Sequence, residues 1–206
     1  MLFLAARASS RPLRAGTRLF SSKDWSGLEE RAARVTEQLD HAQETVSVAE
    51  WTTGGLISAA IWSSSRAHRI FKGSGVRLTY GVNRAADQQG IDAAHQFVKE
   101  WGLIYEHGIE QTESGTPVHA LELAHAAKFN LGTVWGIGES SIPGPEAHPR
   151  TGLLPGMGFV AVAGPNKETT GVLKMNPSDG SRAVNMARVA KAALDLMAHL
   201  QEKNTS

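Results

Sequence analysis

The stretch VSVAEWTTGGLISAA, Val46 to Ala60, constrains this chain more than any other. An apolar run gives way to small polar residues and a Gly pair, and a small-residue apolar segment follows. That order predicts a strand, a tight turn and the start of a helix. At such a junction the end of a strand meets the first amides of a helix, and α/β proteins commonly build a ligand site there. A Trp at position 51 is the wrong size for that site. The segment therefore asks whether Trp51 fills the site or borders it.

The flanking patterns place the junction in an α/β layered single domain with a central sheet flanked by helices. Leu28, Ala32, Val35 and Leu39 recur at helical spacing within a segment running from Asp24 to about Glu44. RIFKGSGVRLTYGV reads as a Gly-containing turn entering a β-rich run. Residues 83–101 have a helical pattern, with Ile91, Ala94, Phe97, Val98 and Trp101 on one side. Pro117 marks the first turn of another helix carrying Val118, Leu121, Ala124 and Ala127. NLGTVWGIG and GMGFVAVAG read as buried strands, joined by a connection over 139–155 of the length that is usually functional or mobile. The segment from Ser181 carries the strongest helical pattern in the chain. The five Trp residues read as core, though aromatic enrichment would also suit a protein interface.

Composition removes several functions. There is no Cys, which excludes disulfides, thiolate metal sites and a Cys nucleophile. The eight His form no i,i+4 pair and no His-Glu-x-x-His motif, so no metal or other cofactor is expected. GIGESSIPGP lacks the Gly-Lys-Ser/Thr end of a phosphate loop. No apolar run is long enough to span a membrane. Residues 1–22 hold four of the 21 Lys and Arg, several Ser and none of the 20 Asp and Glu, as an amphipathic mitochondrial presequence does. The expected cut lies near Ser21 or Ser22 in RLFSS, leaving residues 23–206 as the domain, in the matrix or on the matrix side of the inner membrane. Without residues 1–22 the formal charge of +1 becomes about −3, and no basic stripe supports nucleic-acid binding.

AEWTTGGLISAA, GSGVRLTY, GIGESSIPGP followed by GFVAVAG, and DGSRAVNMARVAKAALDLM stand in a shared order and spacing. On these motifs the chain resembles the CinA C-terminal domain family, the nicotinamide mononucleotide deamidase-like proteins, from about Leu28 to Leu200. WGIGES…GP is more similar to the eukaryotic branch, in keeping with the leader. The resemblance implies an α/β domain, a site at the Thr-Gly-Gly turn and often a homodimer. It also implies a Ser nucleophile in Ala-Glu-Ser-x-Thr-Gly-Gly, and a Lys base a few residues after a Tyr. Amide cleavage needs such a pair, together with backbone N–H groups that stabilise the oxyanion.

Here Trp51 stands at the Ser position. Tyr80 corresponds to the family Tyr, but Ala85 stands at the Lys position, beside Arg84, which stays protonated and cannot act as a base. Trp51 is expected to fill a former catalytic pocket. Thr52 and Thr53, with Lys72, are the fallback chemistry; in the bland alternative Thr53 caps the helix start and Lys72 is a solvated turn residue. Gly54, Gly55, Gly144 with Pro145, and Arg182 are candidates for vestigial substrate binding.

Two functions follow as expectations. One is an inactive deamidase-like protein serving as a structural or accessory subunit of a mitochondrial assembly, with protein partners or a second copy. The other is a nicotinamide-nucleotide amidohydrolase with a rebuilt site. The expected docking surface is the Trp25–Leu28 lead-in with Ile142, Leu153 and Leu154 of the long connection; the rival view makes that connection a lid over a working site.

Overall fold

A computed structural model describes residues 21–76, 114–149 and 151–204. The first helix, α1 (Ser22–Ala42), starts at a capping box. The Ser21 side chain accepts the Asp24 N–H while the Asp24 carboxylate receives the Ser21 N–H and hydroxyl. Leu28, Ala32, Val35 and Leu39 form its buried face, as their spacing predicts. Then come β1 (Val46–Glu50), the short helices α2 (Leu56–Trp62) and α3 (Ala67–Ile70), and β2 (Phe71–Val76). After residue 113 the order is α4 (Pro117–Leu131), β3 (Trp135–Ser141), β4 (Gly158–Ala163), β5 (Gly171–Met175) and α5 (Arg182–Asn204).

The sheet order is β2-β1-β3-β4-β5. β2, β1 and β3 run parallel, whereas β3–β4 and β4–β5 are antiparallel. α1, α2 and α5 enclose the larger core on one face, where Trp135, Ile137, Val160 and Val162 are buried. α4 covers the other face. Its close approach explains the Gly alternation in GIG: a Cβ at Gly136 would stand 2.0 Å from the Ala124 carbonyl oxygen, and one at Gly138 would stand 2.1 Å from that of Ala120. Ala161 and Ala163 of β4 meet Ala120 and Ala124 in the same layer. Period-two alternation thus sends bulky residues to one face and small ones beneath a helix.

Several expectations change. FKGSG is strand rather than turn: Phe71 pairs with Val46 and Gly73 with Ser47, which leaves the exposed Lys72 as the extra residue of a β-bulge. α4 buries His119, Ala120, Leu123, Ala124 and Ala127, while Val118 is 56% exposed, so its inward face is rotated from the expected one. β3 continues through Ser141, shortening the connection that follows, and β5 is a further strand. Leu28 and Ile142 are buried inside the domain, and Leu153 lies with Ile142 over Gly115. Of the apolar residues expected to form a docking surface on the connection, only Leu154 stands well exposed. Trp135 is core, but Trp62 is 63% exposed and tilts over Phe71. Tyr80, Arg84, Ala85 and the 83–101 pattern lie outside the described residues.

Candidate functional site

The β1/β3 register ends with Glu50 beside Glu139, at the carboxyl ends of two parallel strands and next to the start of α2. Both side chains are buried. Two carboxylates in adjacent strands repel, and removing each from water is costly unless donors surround it. The 51–58 segment supplies them. Glu50 Oε2 accepts from Gly55 N at 2.9 Å, Ile57 N at 3.3 Å and Thr53 Oγ1 at 2.6 Å. Its Oε1 accepts from Ser58 N at 2.9 Å and from the Ser58 hydroxyl. Glu50 therefore satisfies the first amides of α2 and complements its dipole. Thr53 is not the cap: residue 55 is the N-cap, a glycine at φ +92°, and Thr53's hydroxyl donates to carboxylates.

Glu139 takes the rest of the turn. Its Oε2 accepts three successive backbone N–H groups: Trp51 at 3.1 Å, Thr52 at 2.7 Å and Thr53 at 3.0 Å. Its Oε1 accepts from Thr52 Oγ1 at 2.6 Å and from the Ser141 hydroxyl, and these two hydroxyl oxygens are themselves 2.6 Å apart. Consecutive N–H groups converging on one point form an anion-binding concavity. Here that concavity holds a carboxylate of the chain itself.

Trp51 is 8% exposed, and its indole packs with Ala49 of β1 and with Leu123, Ala126 and Ala127 of α4. It meets His119 edge to face at a centroid distance of 4.9 Å. His119 Nδ1 is 2.7 Å from Ser140 Oγ, which also accepts the Gly115 N–H. Position 51 is thus tied into the packing between β1 and α4. Nearby, the Thr151 N–H donates to His148 Nδ1 at 3.1 Å; in the neutral ring that leaves the proton on Nε2, which points at Ser114 Oγ at 3.3 Å. That tautomer donates to Ser114 and cannot draw a proton from it.

The candidate binding residues brace the chain. Arg182 Nη1 donates to the Gly144 carbonyl at 2.7 Å, and Asn185 Nδ2 donates to the carbonyls of Pro143 and Gly180 at 3.0 Å each. Gly144 sits at φ +89°, where a Cβ would press on Pro155. Gly54, at φ +66°, faces Met186 of α5, and the Gly55 N–H is taken by Glu50. The connection and the start of α5 therefore close on the Thr-Gly-Gly turn. Glu50, Glu139 and Ser141 do most of the work here and are absent from the expected site. Their sequence signal is a charged or hydroxyl residue ending an otherwise buried strand, in VSVAE and WGIGESS. Among the described residues no group of His, Asp and Glu could hold a metal ion, and no helix is long and apolar enough to cross a membrane.

The model of the CinA C-terminal domain matches residues 28–201. The chain belongs to that family. A CinA-like protein of Prochlorococcus marinus is 28% identical over 146 residues, covering 71% of this chain and 31% of that protein. A CinA-like protein of Nostoc is 27% identical over 203 residues, covering 94% of the chain and 44% of that protein. The chain thus spans less than half the length of these relatives. Among solved CinA-superfamily structures, one from Klebsiella pneumoniae has a TM-score of 0.68 at 14% identity, covering 85% of this chain and 98% of that one. A competence/damage-inducible protein of Agrobacterium tumefaciens has a TM-score of 0.65 at 20% identity, covering 89% and 99%. These structures share the CinA α/β layered fold with the chain.

Proposed function

We propose that this chain is a catalytically inactive member of the nicotinamide mononucleotide deamidase-like group, retained as a structural or accessory subunit of a mitochondrial assembly. The observation that carries the reading is the Glu139 carboxylate seated on the N–H groups of Trp51, Thr52 and Thr53. Acyl transfer from an amide needs a hydroxyl beside a free base, and N–H donors aimed at the developing oxyanion. Trp51 carries no hydroxyl, Ala85 carries no base, and the N–H groups of Trp51, Thr52, Thr53 and Gly55 are engaged by the chain's own carboxylates. The acid-free, four-Arg leader supports import into mitochondria.

One observation favours the amidohydrolase alternative: Thr52 Oγ1 lies 2.6 Å from Glu139 Oε1, a hydroxyl–carboxylate pair. Against it, Thr52 is 6% exposed, and the same carboxylate already accepts from the Ser141 hydroxyl and three amides. One sample separates the two. Native protein recovered from a mitochondrial extract should begin near Ser21 and release no ammonia from nicotinamide mononucleotide above background. An intact Met1 overturns the import reading. Turnover that disappears in Thr52→Ala supports the rebuilt site instead.

A further inference from the structure

Asp24 is 4% exposed, an unusual setting for a carboxylate in the first turn of a helix. Its Oδ2 accepts from the Ser21 N–H at 3.1 Å and from the Ser21 hydroxyl at 2.8 Å. Its Oδ1 lies 3.4 Å from the Lys191 ammonium of α5, whose stem passes over Gly27; a Cβ there would stand 3.2 Å from Lys191 Cε. The Ser21 carbonyl accepts in turn from Asp24 N at 3.0 Å and from Trp25 N at 3.1 Å. Ser21 is thus built into the fold by its N–H, hydroxyl and carbonyl, although it is exposed. Residues 1–20, before it, carry all four Arg of the leader and no acidic residue. A domain that began at Lys23 would lack this cap, whereas one that begins at Ser21 keeps it.

We infer that the leader is cut at the bond before Ser21 and that the amine so released closes an ion pair on Asp24, which makes the processed domain firmer than its precursor. For the cut itself the inference rests on the import reading above. Water, delivered by a processing endopeptidase, adds its oxygen to the Phe20 carbonyl carbon as the C–N bond to Ser21 breaks. Both hydrogens of the water end on the Ser21 nitrogen, so the leader leaves with a carboxylate at Phe20 and the domain starts with an ammonium at Ser21.

Direct contact decides the sign of the effect. The peptide N–H that donates to Asp24 Oδ2 becomes a cationic donor in the same place, and charge-assisted hydrogen bonds are about twice as strong as neutral ones. The positive end of α1 opposes a cation here, and so does Lys191. Lys191 sits on the other carboxylate oxygen, and the helix dipole is spread over the whole first turn, so the carboxylate in contact prevails. Asp24 is ionised at neutral pH: the Ser21 hydroxyl, opposed by burial and helped by the Ser21 N–H and Lys191, holds it below its ordinary value. Among the described residues the charged groups facing the new amine are Asp24 on α1 and Lys191 on α5; Lys23 is exposed, and Arg31 pairs with Asp195 of α5. The ammonium gains a partner on folding, so its folded value rises above the roughly 7.7 of a free α-amine. The added stability is therefore full below about pH 7.7 and is lost as pH rises through the folded value.

The test uses the full chain with residues 17–20 replaced by Ile-Glu-Gly-Arg, so that factor Xa frees Ser21 as the first residue. Urea unfolding is measured on the same sample before and after the cut, at about pH 7 and about pH 10. The cut should raise the folding equilibrium constant about fivefold near pH 7, and the gain should vanish near pH 10. In Asp24→Asn the cut should bring no gain at either pH. A gain of the same size in Asp24→Asn, or one that persists at the higher pH, comes from shedding the leader and overturns the pairing, as does no gain at all. N-terminal sequencing of the native protein tests the place of the cut, and a start at Ser21 supports it. A start at Ser22 or beyond overturns the inference and leaves the import reading standing, whereas an intact Met1 overturns both.

Discussion

Glu139 shows how one side chain can decide the chemistry of a turn. A Thr-Gly-Gly turn at a helix start attracts anions because its amides converge. A carboxylate from the neighbouring strand meets that demand from within, as a bound anion would from without. Glu139→Ala would leave three buried N–H groups and two hydroxyls without their acceptor and should cost about 3 kcal/mol of stability. Glu139→Gln keeps a carbonyl for the amides and offers an NH₂ to the Thr52 and Ser141 oxygens, so its loss should be smaller, about 1 kcal/mol. Urea unfolding of both variants measures the difference. An alanine variant as stable as wild type would mean that Glu139 does not hold the turn. The pair was hard to read in sequence because a Glu ending a strand looks like a surface residue until the register sets Glu50 beside it.

Among the elements, α1 was the most legible. Its 4-3-4 apolar spacing identifies the buried face before any contact is known, and Ser21 with Asp24 forms a capping box at the start. The inward face of α4 differs from the expected one because Ala and Leu occur all around that helix, so the pattern alone favours no side. Gly73 and Gly75 suggest a turn in β2, whereas the bulge at Lys72 lets this Gly-rich segment pair with β1. The capping box has a pH signature. The Ser21 hydroxyl, opposed by burial and helped by the Ser21 N–H and the Lys191 ammonium, holds the Asp24 carboxyl below its ordinary 3.8. A depressed folded value stabilises the protein above the unfolded value, and the contribution is lost as pH falls through the folded one. In the full chain, which retains Ser21, Asp24→Asn should therefore be less stable than wild type above about pH 5, and the gap should close as pH falls below 3.8. A gap that widens in acid would contradict the assignment.

At the scale of the whole molecule, the alternation of strands and helices is enough to place the chain among α/β layered folds, and the Thr-Gly-Gly junction marks the candidate site. Sequence could not supply the closure of that site. It depends on register between β1 and β3, on α4 lying directly over Gly136 and Gly138, and on Arg182 and Asn185 holding the connection, all contacts distant in sequence. The fold is thus the family's, while the junction has been filled from inside. The most direct test is amide hydrogen exchange at Trp51, Thr52 and Thr53, followed by NMR with and without millimolar nicotinamide mononucleotide. The three amides should exchange as slowly as those of the central strands, stay unchanged when the nucleotide is added, and become fast in Glu139→Ala. Exchange at loop rates in the wild-type protein, or a change on adding nucleotide, would show that the turn's donors are open to a ligand and would contradict the account.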